Sequence, residues 1–246
     1  MRLAKVSFVL VVLFAWQLLS SGGPAYLLGP GEIAKHFVSA LGEREIYEHI
    51  GASLGRALPG FVLGSLAGIA CGLAAGVSRK FDETVSPAVF LSYPVPKIVM
   101  LPLFMLWFGI GDVSKILIIA LACFYPMFIN AYYGAKATPT ILVWSGLNMG
   151  ARRWRIFSRI VVPNALPMIF AGLRVALALS FIVMFATEMI NARTGLGHLI
   201  RIAENSLRFD LMYVALLAIA ILGYAGDRLL HAARTRVLAW QESAAA

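Results

Sequence analysis

Few side chains in this 246-residue sequence are of types that do chemistry, and their spacing suits little of it. The four histidines, His36, His49, His198 and His231, are widely separated. There is no His-x-x-x-His or Cys-x-x-Cys pair, so no metal site is expected. No glycine-rich loop ends in Gly-Lys-Ser/Thr, the phosphate cradle used by one large class of nucleotide-binding chains. Glu188 has no second carboxylate nearby in sequence, which disfavours a proton relay or a paired acid and base. It reads as a capping or gating residue at a helix end. Cys71 and Cys123 lie in apolar runs and read as packing residues. What remains is cationic: Lys97 and Arg174 inside apolar stretches, and the run Arg152, Arg153, Arg155, Arg159. This inventory points away from an enzyme and from any cofactor held by the chain itself.

The elements that carry these residues are unusually apolar. Hydrophobic residues make up 60% of the chain and charged ones 13%, against roughly 25% in an average soluble domain. Mean hydropathy is +0.82. A soluble globule of this composition would expose large apolar patches, which drive association, so a polytopic membrane protein is expected.

A bilayer core about 30 Å thick needs about 20 largely apolar helical residues. Six stretches are candidates: 6–20, 57–77, 85–108, 116–135, 166–190 and 211–226. The first follows Arg2 and Lys5 and resembles a signal peptide in form, but a retained helix is the preferred reading. In the second, Gly60, Gly64, Gly68 and Gly72 recur every fourth residue along one helix ridge. Such a ridge lets helices approach closely in lipid, either within the chain, the favoured reading, or at a dimer seam. The third contains Pro87, Pro94, Pro96 and Pro102 beside Lys97. Proline removes ladder donors, and broken backbone at membrane depth survives only inside protein or beside water, so this span is expected to line a pathway as a kinked helix.

Cations set the orientation. Arg2, Lys5, Arg79, Lys80, Lys136, the four loop arginines, Arg228, Arg234 and Arg236 fall on one side, twelve in all. The other side has seven, Lys35, Arg44, Arg56, Lys115, Arg193, Arg201 and Arg208. The positive-inside rule places the first group, and both termini, in the cytoplasm. The stretch 22–56 then lies outside, and the final Ala244-Ala245-Ala246 reads as a frayed tail. No separate soluble domain or internal repeat is evident, so one transmembrane domain over 1–246 is expected.

The most informative segment joins the fourth and fifth stretches. It runs from Trp144-Ser-Gly-Leu147-Asn-Met-Gly150-Ala151-Arg152-Arg153-Trp154-Arg155 through Phe157 and Arg159 to Pro163 and Pro167. It reads as a short amphipathic basic helix, about 147–157, bounded by prolines that turn the chain back into the membrane. On composition alone, such a helix lies on anionic lipid. Its pattern, however, resembles the cytoplasmic EAA loop of permease subunits in ATP-binding-cassette importers. Gly150 falls on the motif glycine, and Ile160 to Pro163 with Pro167 on the part downstream. Trp144-Ser145-Gly146 stands where that family has Glu-Ala-Ala, so the acidic residue is absent. Tyr93-Pro94-Val-Pro96, Leu101-Pro102 through Gly111, Gly172-Leu-Arg174, Thr187-Glu188-Met189 and Thr194-Gly195-Leu-Gly197 are similar to the nitrate/sulfonate/taurine branch. The resemblance covers about residues 50–225.

That resemblance implies an all-α membrane protein with about six transmembrane helices, in a bacterial inner membrane. It implies a permease subunit that pairs with a second copy, two ATPase subunits carrying ATP and Mg, and an external substrate-binding protein, with no nucleic-acid partner. Leu147, Gly150, Ala151, Arg152, Arg153, Trp154, Phe157 and Pro163 would form the ATPase-coupling segment. Pro94, Pro96, Lys97, Arg174 and Glu188 are expected along the translocation pathway. No carboxylate within those spans is an obvious partner for Lys97 or Arg174, since Glu188 stands 14 residues beyond Arg174, about 21 Å along a helix. Unpaired cations facing a cavity would attract an anion. Alternatively they snorkel or cap carbonyls beside the prolines. The expected solute is an anion such as nitrate, sulfonate or taurine; a pyrimidine- or flavin-like precursor is the alternative. A secondary transporter without an ATPase is a further reading, and an intramembrane enzyme a remote one.

Overall fold

A computed structural model describes residues 2–24 and 26–239; the terminal alanines lie outside them. Helices follow one another from α1 (Arg2–Ser21) through α2 (Pro30–Ala40), α3 (Arg44–Val77) and α4 (Arg79–Ser92). A single 3-10 turn, Lys97–Met100, leads into α5 (Leu101–Phe108) and α6 (Asp112–Lys136). Next come α7 (Thr140–Asn148), α8 (Arg153–Ile156) and a π-helical turn (Phe157–Val161). The chain closes with α9 (Val162–Asn191), α10 (Leu196–Asn205) and α11 (Phe209–Val237). Among the described residues there is no strand.

Local chemistry sets several boundaries. Pro30 opens α2, where a missing N–H costs nothing, and Glu32 reaches back to accept from the Gly29 N–H at 3.2 Å. Ser78 separates α3 from α4, its hydroxyl accepting from Phe81. Four segments are long and apolar enough to cross a membrane: 44–77, 112–136, 153–191 and 209–237. The third expected span differs from expectation. It is not a kinked helix but α4 and α5 meeting at 93°, which count as one broken span or a re-entrant loop. The six expected spans thus resolve into four, this broken fifth, and α1, whose apolar part, Leu10–Ser21, is short.

The chain forms two compact units, one from 1–54 with 188–221 and the other from 55–187 with 222–246. In the second, the glycine ridge of α3 lies directly on α6. A Cβ at Gly60 would stand 2.6 Å from Ile119, one at Gly64 would strike the Ala120 carbonyl, and one at Gly68 would stand 2.6 Å from Met127. The ridge therefore packs within the chain. Lipid tails are as apolar as leucine, so such close backbone approach, rather than hydrophobic burial, supplies the attraction between spans. Behind it, Ala75, Val89, Phe128 and Tyr132 form a buried cluster. In the first unit, Gln17 accepts from the Gly31 N–H at 3.2 Å, and Tyr213 donates to the Tyr26 carbonyl at 3.2 Å.

Candidate functional site

The loop between α6 and α9 is not the continuous helix expected over 147–157. Helix α7 stops at Asn148 and α8 begins only at Arg153. The break has a local cause. Gly150 adopts φ +77°, its N–H reaching the Leu147 carbonyl at 2.9 Å and the Ala151 N–H the Gly146 carbonyl at 3.0 Å. This crossed pair is the Schellman arrangement, which places glycine just past a helix end. Nothing lies within 4 Å of the position a Gly150 Cβ would take, so conformation within this chain, not crowding, calls for glycine there.

The chain then doubles back. A Cβ at Gly146 would lie 3.3 Å from both Ile156 and Ile160, so the small residue standing in for the motif's alanine lets α7 pack on the α8 side. Contrary to expectation, Pro163 and Pro167 do not turn the chain; both lie within α9, near its start. Pro163 falls in the first turn of α9, where proline is tolerated, and follows a π-helical turn; Pro167 lies inside the helix, which continues through it. Trp154, 74% exposed, stacks loosely on Phe157 with centroids 5.5 Å apart, and Met149 is 86% exposed. Leu147, Arg153, Trp154 and Phe157 line a cavity of about 760 Å³ together with Val77 of α3 and Lys136 of α6. Lys136 is fixed by Asp82 of α4 at 2.7 Å. The segment thus presents an exposed aromatic and methionine surface flanked by Arg152, Arg153 and Arg155.

Within the second unit, the expected pathway residues do not gather in one place. Pro94 and Pro96 lie in the gap between α4 and α5, while Pro102 merely opens α5. Lys97 directs its ammonium to the carbonyls of Ser92, Tyr93 and Val95 at 2.7, 2.9 and 2.6 Å, and lies 3.9 Å from the Tyr125 ring centroid. It caps carbonyls freed by the prolines, at the edge of a cleft of about 300 Å³ walled by Leu179, Ile182 and Val183. Arg174 corrects the sequence reading. It is not unpaired: its guanidinium grips Asp227 of α11 through two hydrogen bonds, at 2.6 and 3.1 Å.

Glu188 is fully buried in the first unit. Its carboxylate accepts from the Ser53 hydroxyl at 3.0 and 2.8 Å and from the Gly197 N–H at 3.0 Å. Ser53 in turn accepts from the Leu196 N–H at 2.8 Å, and His49 Nδ1 from the Gly195 N–H at 2.9 Å. Three successive backbone donors at the start of α10 are therefore held by three side chains. His49 and Ser53, four residues apart on one face of α3, had drawn no functional reading from sequence.

Residues 54–238 match the protein family described as "binding-protein-dependent transport system inner membrane component". The taurine transport system permease protein TauC of Escherichia coli is 31% identical, over 96% of this chain and 89% of its own. The riboflavin transport system permease protein RibX of Chloroflexus aurantiacus is 34% identical, over 88% and 82%. Among solved structures, the inward-facing MetNI methionine ABC transporter superposes with a TM-score of 0.58 at 22% identity, over 77% of this chain and 94% of that one.

Proposed function

From the premise that the chain belongs to the family of binding-protein-dependent transport system inner membrane components, and is the permease subunit of an ABC importer, we propose that it carries a small sulfonate-type anion. Two copies line the pathway, two ATPase subunits bind ATP and Mg on the cytoplasmic side, and a binding protein delivers the solute from outside. Both termini face the cytoplasm, in keeping with the twelve cations on that side.

The observation that carries the coupling role is the exposed Leu147–Phe157 surface, built on the Gly150 turn and backed by a cavity. Closure of the ATPases on ATP draws the two loops together, and the helix bundles then open alternately to either side. The cycle is a population shift, so its drive is the difference in ATP and solute affinity between states. Pro94, Pro96, Lys97, Arg174 and Glu188 shape the pathway rather than bind the solute through free charges, because Lys97 and Arg174 are engaged by the protein itself. The similarity to a taurine permease over 96% of the chain supports a sulfonate.

Reconstitution tests this directly. The permease, its ATPase and its binding protein in proteoliposomes, with ATP on the ATPase side, should accumulate taurine or a short alkanesulfonate. Uptake of riboflavin without any sulfonate would overturn the substrate class and favour the flavin reading.

A further inference from the structure

We propose that His49, Ser53 and Glu188 are the latch of the pathway's outer end, positioning residues that hold the 192–197 turn shut. The inference rests on the permease assignment and goes beyond it.

The geometry satisfies the N-terminal end of α10. The first N–H groups of a helix have no partner within it, and α10 starts, after its N-cap Gly195, with Leu196 and Gly197, all three buried. Each of those N–H groups meets a different side chain: His49 at 2.9 Å, Ser53 at 2.8 Å and Glu188 at 3.0 Å. Ser53 links two of these ties, accepting from Leu196 while donating to the carboxylate. The other end of the turn is tied as well, the Arg201 guanidinium donating to the Ala192 carbonyl at 3.2 Å. Gly195 has φ +120°, and a Cβ there would strike the Glu188 carboxylate, so the backbone is drawn over that group as closely as any residue permits.

An apolar contact would hold two segments together without the cost of burying a carboxylate. Buried polar groups are high-stakes: fully satisfied they specify one arrangement, and with one partner lost they destabilise it. This makes the turn all-or-none rather than gradually deformable, as a gate must be. Its place in the chain fits. Glu188 follows two residues after Ala186, which with Leu179, Ile182 and Val183 lines the cleft beside Lys97. Arg193 of the turn and Arg201 just beyond it belong to the less cationic set that the positive-inside rule assigns to the outer side.

The test reads opening without needing a solute. In a Cys71→Ala background, Ala192→Cys places a thiol in the turn at a position only 6% exposed. Cys123, fully buried, serves as the internal control for general unfolding. The permease–ATPase complex in nanodiscs is treated with a charged maleimide in the absence of nucleotide. Glu188→Gln puts an amide donor where one of the two acceptor oxygens stood, and Ser53→Ala removes the hydroxyl from the carboxylate and strands the Leu196 N–H. Each should speed labelling at 192 about tenfold. Ser53→Thr, which keeps the hydroxyl, should restore the original rate. ATP hydrolysis by the complexes should persist. An unchanged rate at 192 in Glu188→Gln would overturn the latch, as would failure of threonine to rescue. Parallel labelling of Cys123 would also overturn it, by showing a merely structural role. A non-sulfonate solute in the uptake assay would leave this result intact.

Discussion

The turns at Gly150 and Gly195 are each built around a glycine with positive φ, and they differ in what surrounds it. At Gly150 the space a Cβ would fill is empty, and the neighbouring Trp154 and Met149 are exposed. At Gly195 the same space holds a buried carboxylate, and each adjoining N–H has a side-chain partner. The first turn is shaped by its own backbone and leaves Trp154 and Met149 exposed. The second spends its side chains on itself. A coupling segment must keep its contacts for another subunit, whereas a latch must satisfy itself; glycine serves both because each needs a left-handed residue.

The sharpest way to break this comparison is to place the same methyl group in both turns. Gly195→Ala should cost about 3 kcal/mol or more, from the unfavourable φ, the clash with Glu188 and the donors it displaces. Gly150→Ala should cost only about 1–2 kcal/mol, the conformational part alone. Thermal denaturation of the purified variants checks this, and equal losses would remove the distinction.

How far sequence anticipated each turn follows from the same difference. The Gly150 turn is written within a few residues, so its motif and its glycine were legible; only the break at 149–152 was not, because basic and apolar residues on both sides read as one helix. The latch joins Ser53 to Glu188 across 135 residues, and no local pattern marks such a pair. The Arg174–Asp227 pair, 53 residues apart, escaped for the same reason, since a search confined to the cation's own span finds no carboxylate. The apolar spans were legible because lipid demands length and composition, and the glycine ridge because it repeats. The 93° bend was legible as a break from Pro94 and Pro96 but not as an angle, and the three carbonyls that Lys97 ties at the break follow no sequence pattern.

A second prediction separates folding from partnership within the coupling turn. Gly150→Trp adds a ring where the chain has open space, and Trp154→Ala removes an exposed one. Both variants should reach the membrane in near-normal amounts. Gly150→Trp should abolish co-purification of the ATPase and uptake, since bulk at the turn bars a docking surface. Trp154→Ala should weaken the complex about tenfold, as for an exposed aromatic that becomes buried in an interface. Normal complex formation by Gly150→Trp would show that the ATPase docks elsewhere.

The smallest effect belongs to the arginines of the same segment. Arg152, Arg153 and Arg155 make no ion pair among the described residues, in contrast to Arg174, which is held by Asp227. Replacing all three with alanine should change thermal stability by no more than about 0.5 kcal/mol, because no buried partner is stranded. Their contribution to ATPase binding is that of exposed charges, about 0.2–1 kcal/mol each, and salt screens such charges over about 8 Å at physiological ionic strength. The triple variant should therefore bind the ATPase several-fold more weakly at low salt, and the deficit should fade as salt rises. A deficit that persists at 1 M salt would mean that the arginines make desolvated contacts, and that the coupling surface is anchored by charge rather than by Trp154 and its apolar neighbours.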